Sequence, residues 1–206
     1  MVTIAAIILA AGRGTRFGRE PKMLAAFEGK PLVTRVAEAA LESEAEPVIV
    51  VVGHEAQAVS AALAGLRVTI VENAHYREGL STSLKAGFAA LPEEAEAAAI
   101  LLGDMPQIGT ALLDWLLKAW RSSGFPSALV PTFQGRRGHP AILSKDLAPA
   151  IARLTGDTGA GKLLRPLADV VEIERGDPAV SRDADTPQEL AALAAQASTI
   201  PVRTAE

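Results

Sequence analysis

Residues 3–10, TIAAIILA, form an unbroken apolar run rich in isoleucine that leads straight to Ala11 and Gly12. A short run without polar alternation is the pattern of a strand covered on both faces, as in a parallel sheet. Similar runs recur at residues 47–53, 67–72, 98–103 and 127–131, and the stretches between them are alanine-rich with helical spacing. Strand, crossover, strand repetition predicts an α/β fold, with helices on both faces of a mostly parallel sheet in three layers. Ligands in such sheets sit beyond the C-terminal ends of the strands, so the segments after each run matter most. After residue 132 the pattern loosens, with loops at 134–140 and 155–161 and a helical-looking stretch at 146–154. Residues 198–206 read as a frayed tail. No Pro- or Ser-rich linker and no internal repeat divides the chain, so residues 1–206 are expected to form one domain.

Composition narrows the partners more than the fold. The chain is 49% apolar and 21% charged with mixed signs, which excludes a disordered tail and a membrane protein. A chain of this size buries roughly 70% of the surface its unfolded form exposes, enough to enclose a site. The net charge of −4 and the absence of a Lys/Arg cluster leave no field to attract a nucleic-acid backbone. Cysteine is absent, which removes disulfides, thiolate metal sites and a cysteine nucleophile. The apolar segment 4–11 has no basic residue before it and is too short to span a bilayer, so a cytoplasmic location is the default expectation.

The strongest local signal follows the first run: Leu9-Ala10-Ala11-Gly12-Arg13-Gly14-Thr15-Arg16-Phe17-Gly18, with Pro21-Lys22 just beyond. Small residues there let backbone N–H groups approach phosphate, and Arg13, Arg16 and Lys22 supply charge to neutralise a triphosphate. Gly12, Gly14 and Gly18 give GxGxxxG, one residue longer than the dinucleotide-binding fingerprint, and three cations exceed what a pyrophosphate bridge usually receives. A dinucleotide-binding dehydrogenase is therefore disfavoured; a plain glycine-rich turn is the structural alternative.

Asp104, in Gly103-Asp104-Met105-Pro106, follows an apolar run and is placed at the sheet's C-terminal edge, where a carboxylate suits Mg²⁺. One or two carboxylates usually share that ion with phosphates, and Asp185 is the best second candidate. It precedes Thr186-Pro187-Gln188-Glu189, which reads as a capping box with proline at the first helical position. Either aspartate alone is equally well a turn or cap residue.

Weaker signals remain. Gly79-Leu80-Ser81-Thr82-Ser83-Leu84 opens a helix and sets hydroxyls and N–H groups at its positive end, although an ordinary N-cap accounts for Ser81 equally well. Asn73, at the end of a strand, carries the same ambiguity. His139 lies in the cationic loop Gly135-Arg136-Arg137-Gly138-His139-Pro140, suited to an anionic acceptor or to a solvated turn. Residues 156–162, GDTGAGK, have P-loop spacing, but Leu163 stands where a magnesium-binding hydroxyl belongs. That loop is read as a contact for an acceptor phosphate through N–H groups, at Gly159, or as a bland turn. His54 and His75 form no ligand pair by spacing, and no GxSxG elbow is present.

Taken in order, the blocks at 9–22, 79–84, 103–106 with 138–140, and 183–187 resemble the MobA-like nucleotidyltransferases, and within them the molybdenum cofactor cytidylyltransferases. The likeness spans nearly the whole chain. It implies a Rossmann-like three-layer αβα sandwich of the nucleotide-diphospho-sugar transferase type, with residues 1–131 as the nucleotide-binding half and 132–197 as the acceptor-binding half. It implies that CTP and molybdenum-bearing molybdopterin give the cytosine dinucleotide cofactor and pyrophosphate. Asp104 and Asp185 would hold Mg²⁺, with Mn²⁺ as the alternative ion, and a molybdenum hydroxylase or its maturation chaperone would be the receiving partner. On this likeness Leu9, Ala10, Ala11, Gly12, Arg13, Gly14, Lys22, Asn73 and Ser81 contact the nucleotide. Arg136, Arg137, His139 and Gly159 meet the acceptor, and Lys22, Arg13 and Asp104 form the catalytic set. Guanylyltransferase relatives usually carry a second glycine where Ala11 stands, which favours CTP over GTP; Phe17 departs from the methionine common before the last glycine. The expected nucleophile is a phosphate monoester, ionised near neutral pH because its second pKa is about 6, so no strong general base is needed. The alternatives are another nucleotide (GTP), another phosphorylated acceptor, or a cofactor carrier without chemistry.

Overall fold

The first apolar run is a strand, β1 (Thr3–Ala10), in the computed structural model of the chain, which describes residues 2–18 and 20–197. The expected tail at 198–206 lies outside the described residues. Side chains of β1 alternate between two cores: Ile4, Ala6, Ile8 and Ala10 enter one, Ile7 and Leu9 the other. Burial at both parities is why residues 4–10 include no polar residue, Thr3 lying at the half-buried start.

A small antiparallel pair, β2 (Ala26–Phe27) and β3 (Lys30–Pro31), leads into α1 (Leu32–Leu41). Next come β4 (Val48–Val52), α2 (Ala56–Ala62), β5 (Thr69–Glu72), α3 (Leu80–Ala89), β6 (Ala95–Leu102), α4 (Thr110–Ser122) and β7 (Ala128–Phe133). The chain then forms β8 (Arg136–Arg137), β9 (Ala141–Ser144), α5 (Ala148–Ile151), α6 (Ala160–Leu164), β10 (Val170–Glu174) and α7 (Pro187–Ala197). Among the described residues the main sheet has eight strands in the order β10, β7, β9, β6, β1, β4, β5, with β8 paired to β7. The pairs β4–β1, β1–β6, β4–β5 and β10–β7 are parallel, and β9 lies antiparallel between β6 and β7. The mostly parallel sheet is as expected, but β9 and β10 are additions to the strands read from the pattern. β9 spans only four residues, and β10 is a half-exposed edge strand, VVEIE; neither length nor uniform hydrophobicity marks them.

Helices α1 and α4 cover one face, and α3, α5 and α6 the other. α1 buries Leu32, Val33, Val36, Ala37 and Ala40, a stripe of helical period. Each fully buried leucine or valine of this kind contributes about 1.5–3 kcal/mol. The indole of Trp120 in α4 is buried in the same core and donates its N–H to the Pro126 carbonyl at 2.9 Å. Among the described residues no helix is long and apolar enough to cross a membrane.

α7 begins as its sequence dictates. The Thr186 N–H donates to Glu189 Oε2 at 2.9 Å and the Glu189 N–H donates to Thr186 Oγ1 at 3.2 Å, a reciprocal capping box with Pro187 first in the helix. Leu190 and Leu193 then pack with Phe17, Phe27 and Leu32, tying this helix to the loop after β1. Thr186→Ala should lower stability by about 1 kcal/mol, read as a lower urea midpoint with an unchanged slope; an unmoved midpoint would show that packing alone holds the helix start.

Candidate active site

β1 and β6 are paired through Leu9 and Leu102, so the segments that follow them leave the sheet side by side. The Gly103 N–H donates to the Leu9 carbonyl at 3.0 Å and extends that alignment into the loop bearing Asp104. After β1 the chain turns at residues 14–17, where the Phe17 N–H donates to the Gly14 carbonyl at 2.8 Å. Gly14 has φ +56, and a Cβ there would lie 2.6 Å from Lys22 Cβ, so glycine lets the loop close over the lysine. Lys22 starts a short 3-10 turn (Lys22–Leu24), and its side chain is only 6% exposed.

A third segment joins these two through backbone: the Ala184 N–H donates to the Asp104 carbonyl oxygen at 3.0 Å. Carboxylate oxygens of Asp104, Asp183 and Asp185 thereby lie within 4.8 Å of one another. Lys22 Nζ donates to Asp104 Oδ2 and, at 2.8 Å, to Asp185 Oδ1, while Arg16 Nη2 pairs with Asp185 Oδ2 at 2.5 Å. These groups line a cleft of about 190 Å³ together with Gly12, Gly14 and Thr15. Three carboxylates form an all-oxygen donor set that suits a hard divalent cation. Asp104 Oδ1 is buried without a hydrogen-bond partner, an acceptor left over for such an ion.

The charges are strongly coupled. Burial alone would pull the Lys22 ammonium down, but Asp104 and then Asp185 outweigh it, and its pKa stands above the ordinary lysine value. Burial works upward on Asp185, yet Lys22 and then Arg16 prevail and hold it below the usual carboxylate range. Asp183 is pushed above that range, by burial first and then by the charges of Asp185 and Asp104. Asp183 was absent from the expected ligands; its signal was only an acidic residue two places before Asp185, which spacing alone does not distinguish from a loop residue.

The remaining candidates fall into three groups. Leu9, His139 and Gly159 line a mostly apolar cavity of about 210 Å³ with Leu80, Leu84 and Leu102, and Arg137 stands on its wall. Arg136, Arg137 and His139 also line a neighbouring cavity of about 400 Å³ that reaches Asp183. Burial is the main cause of a lowered His139 pKa, opposed by the Ile100 carbonyl and by Asp104 and Asp183, so the ring is neutral near pH 7. Ala10 and Ala11 are buried in the strand end, and Arg13 is exposed without an ion pair to any described residue. Asn73 and Ser81 lie together at the start of α3, where the Asn73 amide donates to the Thr82 and Ser83 hydroxyls at 2.8 and 3.0 Å. Gly79, not Ser81, is the N-cap of α3; the Ser81 N–H donates to the Gly156 carbonyl at 3.1 Å and its hydroxyl is buried without a partner. A further cavity of about 740 Å³ lies beside Glu38, Glu42 and Arg182 and is lined by none of the candidate residues.

The turn carrying Arg136 and Arg137 is braced by Glu174 of β10, which accepts from the Thr132 hydroxyl at 2.8 Å and the Gln134 N–H at 2.9 Å. The Thr132 hydroxyl first, then the Gln134 amide, hold this carboxyl below its ordinary 4.5. A depressed carboxyl stabilises the fold above its unfolded pKa and loses that contribution as pH falls through the folded value. Glu174→Gln should therefore lower the urea midpoint near pH 7, with the gap to the native chain closing as pH falls below the ordinary carboxylate range; a gap independent of pH would contradict the bracing role.

Residues 6–172 match the family described as MobA-like NTP transferase domain. The chain is 33% identical over 193 residues to nicotine blue oxidoreductase of Paenarthrobacter nicotinovorans, covering 91% of this chain and 94% of that one. Its fold superposes on Rv0371c of Mycobacterium tuberculosis with a TM-score of 0.82 at 27% identity, over 94% of this chain and 98% of that one. A manganese complex of Rv0371c matches with a TM-score of 0.77, at 27% identity over 94% and 98% of the two chains. Molybdopterin-guanine dinucleotide biosynthesis protein A of Archaeoglobus fulgidus shares the fold, with a TM-score of 0.71 at 20% identity over 95% of this chain and all 100% of that one. The acidic cluster and the manganese-bearing neighbour agree on a divalent metal. With the glycine loop, the lysine and the carboxylates gathered at one sheet edge and the family matched over most of its length, this chain belongs to the MobA-like NTP transferase family and is a nucleotidyltransferase.

Proposed function

We propose that the chain transfers CMP from CTP to the terminal phosphate of molybdenum-molybdopterin, releasing pyrophosphate, in the cytoplasm. The observation that carries this reading is the meeting of Lys22, Asp104 and Asp185 beside the loop after β1, residues far apart in sequence that together suit a metal-bound triphosphate. Asp104 and Asp185, with Asp183 beside them, would hold Mg²⁺, which when bound offsets phosphate charge. Lys22 and Arg13, with Arg16 of the same cleft, would offset charge on the triphosphate, and N–H groups of residues 12–15 would hold the leaving pyrophosphate. An ionised acceptor oxygen forms the bond to the α-phosphorus as the bond to pyrophosphate breaks, so no side chain need take a proton. Residues 132–197 would form the acceptor half, with Arg136 and Arg137 facing the phosphate and neutral His139 and Gly159 the body of the acceptor. The family resemblance at Ala11 favours CTP, and the molybdopterin-related fold neighbour supports the acceptor. The relative named an oxidoreductase suggests another chemistry, but GxGxxxG spacing and three cations weigh against a redox dinucleotide here.

The test is pyrophosphate release from CTP and, separately, GTP, with Mg²⁺ and molybdopterin acceptor. Release with CTP alone supports the reading, and release with GTP reverses the nucleotide assignment. Release with neither removes molybdopterin as acceptor and leaves another phosphorylated acceptor or a carrier role.

A further inference from the structure

Three of the four carboxylate oxygens of Asp104 and Asp185 are already engaged by cations. Lys22 Nζ holds Asp104 Oδ2 and Asp185 Oδ1, and Arg16 holds Asp185 Oδ2. Among the four oxygens of these two carboxylates, only Asp104 Oδ1 has no partner. An ammonium seated on these carboxylates takes lone pairs that a divalent ion would need and repels that ion across a few ångströms, so the two compete for the site. Lys22 is also confined: its side chain is 6% exposed and Gly14 packs on its stem. The way out is the adjoining cleft lined by Gly12, Gly14, Thr15 and Arg16, whose N–H groups and guanidinium attract anions. A triphosphate in that cleft would offer Lys22 an equivalent set of oxygens.

We infer that Lys22 is an internal competitor for the metal, released from Asp104 and Asp185 by a nucleoside triphosphate, so that metal and nucleotide bind cooperatively and metal alone binds weakly. This rests on the proposed assignment of Asp104 and Asp185 as metal ligands. By linkage, the factor by which nucleotide tightens metal equals that by which metal tightens nucleotide, typically about 5- to 150-fold. The device would keep the carboxylates neutralised until the charged substrate arrives.

The experiment is a Mn²⁺ titration of nucleotide-free protein, following free Mn²⁺ by electron paramagnetic resonance, for the native chain, Lys22→Met, and Lys22→Met with Asp104→Asn. Circular dichroism verifies folding. Lys22→Met should bind Mn²⁺ at least about tenfold more tightly than the native chain, and the double variant should lose that gain. Equal or weaker binding by folded Lys22→Met, with binding still dependent on Asp104, overturns the competition and leaves the metal assignment standing. Binding that ignores Asp104→Asn, or none in any protein, overturns the metal assignment and the inference with it. A measurement on the native chain stands apart from the variant's folding: acetylation of Lys22, read by mass spectrometry, should rise severalfold at saturating Mn²⁺ without nucleotide. Lys145, which donates to the Pro92 and Glu93 carbonyls, serves as the unaffected reference. Unchanged Lys22 labelling at metal saturation overturns the inference.

Discussion

Asp104→Asn should lower pyrophosphate release by about 100- to 1,000-fold, the scale on which removal of one well-placed electrostatic partner acts, while the fold survives. The change is nearly isosteric, so the loop keeps its shape. Its two backbone anchors, the Gly103 N–H on the Leu9 carbonyl and the Ala184 N–H on the Asp104 carbonyl, do not involve the side chain. Lys22 loses one carboxylate and retains Asp185 at 2.8 Å, so its ammonium is not left unpaired. What disappears is one formal negative charge from a cluster of three carboxylates, and with it much of the attraction for a divalent cation. Steady-state pyrophosphate release beside a far-ultraviolet circular dichroism spectrum separates the two effects. A near-normal rate would end the metal assignment of Asp104, whereas a lost spectrum would recast the residue as structural.

Gly138→Ala should cost about 2–4 kcal/mol of stability through overpacking and a lost hydrogen bond, and should depress turnover at least about tenfold through misplacement of site groups. A Cβ at this position would lie 2.1 Å from the Val180 carbonyl oxygen and 2.8 Å from its carbonyl carbon. Both are backbone atoms, so no side chain can rotate away. Hydrogen bonds hold this segment on both sides: the Gly138 N–H donates to the Pro131 carbonyl of β7 at 2.8 Å, and the His139 N–H donates to the Val180 carbonyl at 2.7 Å. Relief therefore moves either the His139 loop or residues 178–181, and the latter lead directly to Asp183 and Asp185. Urea denaturation and the pyrophosphate assay together test this; an alanine variant of native stability would show that the approach is looser than these distances.

The local features were legible because their causes are local. β1 runs over residues 3–10 as its apolar run requires, and the runs at 47–53, 98–103 and 127–131 become β4, β6 and β7 with ends shifted by a few residues. The capping box at Thr186 and Glu189 forms within four residues of sequence, and so it could be read from spacing. Gly79 rather than Ser81 as the cap of α3 was less visible, since that choice depends on the Gly156 carbonyl meeting the Ser81 N–H from a distant loop. The candidate site lies at the other extreme. Its residue types could be nominated from the chain, because cations after a glycine-rich turn and an aspartate after a buried strand have few chemical uses. Their contacts could not: Lys22 is separated from Asp104 by 82 positions and from Asp185 by 163. By itself, then, the sequence determined the layered α/β plan, the capping box of α7 and the chemical vocabulary of the site, since periodicity and short-range hydrogen bonds act within a few residues. The tertiary structure alone decided that β9 inserts antiparallel between β6 and β7, that Asp183 joins the carboxylates, and that Lys22 lies upon them, because each depends on strand order and backbone contacts between segments that no local pattern connects.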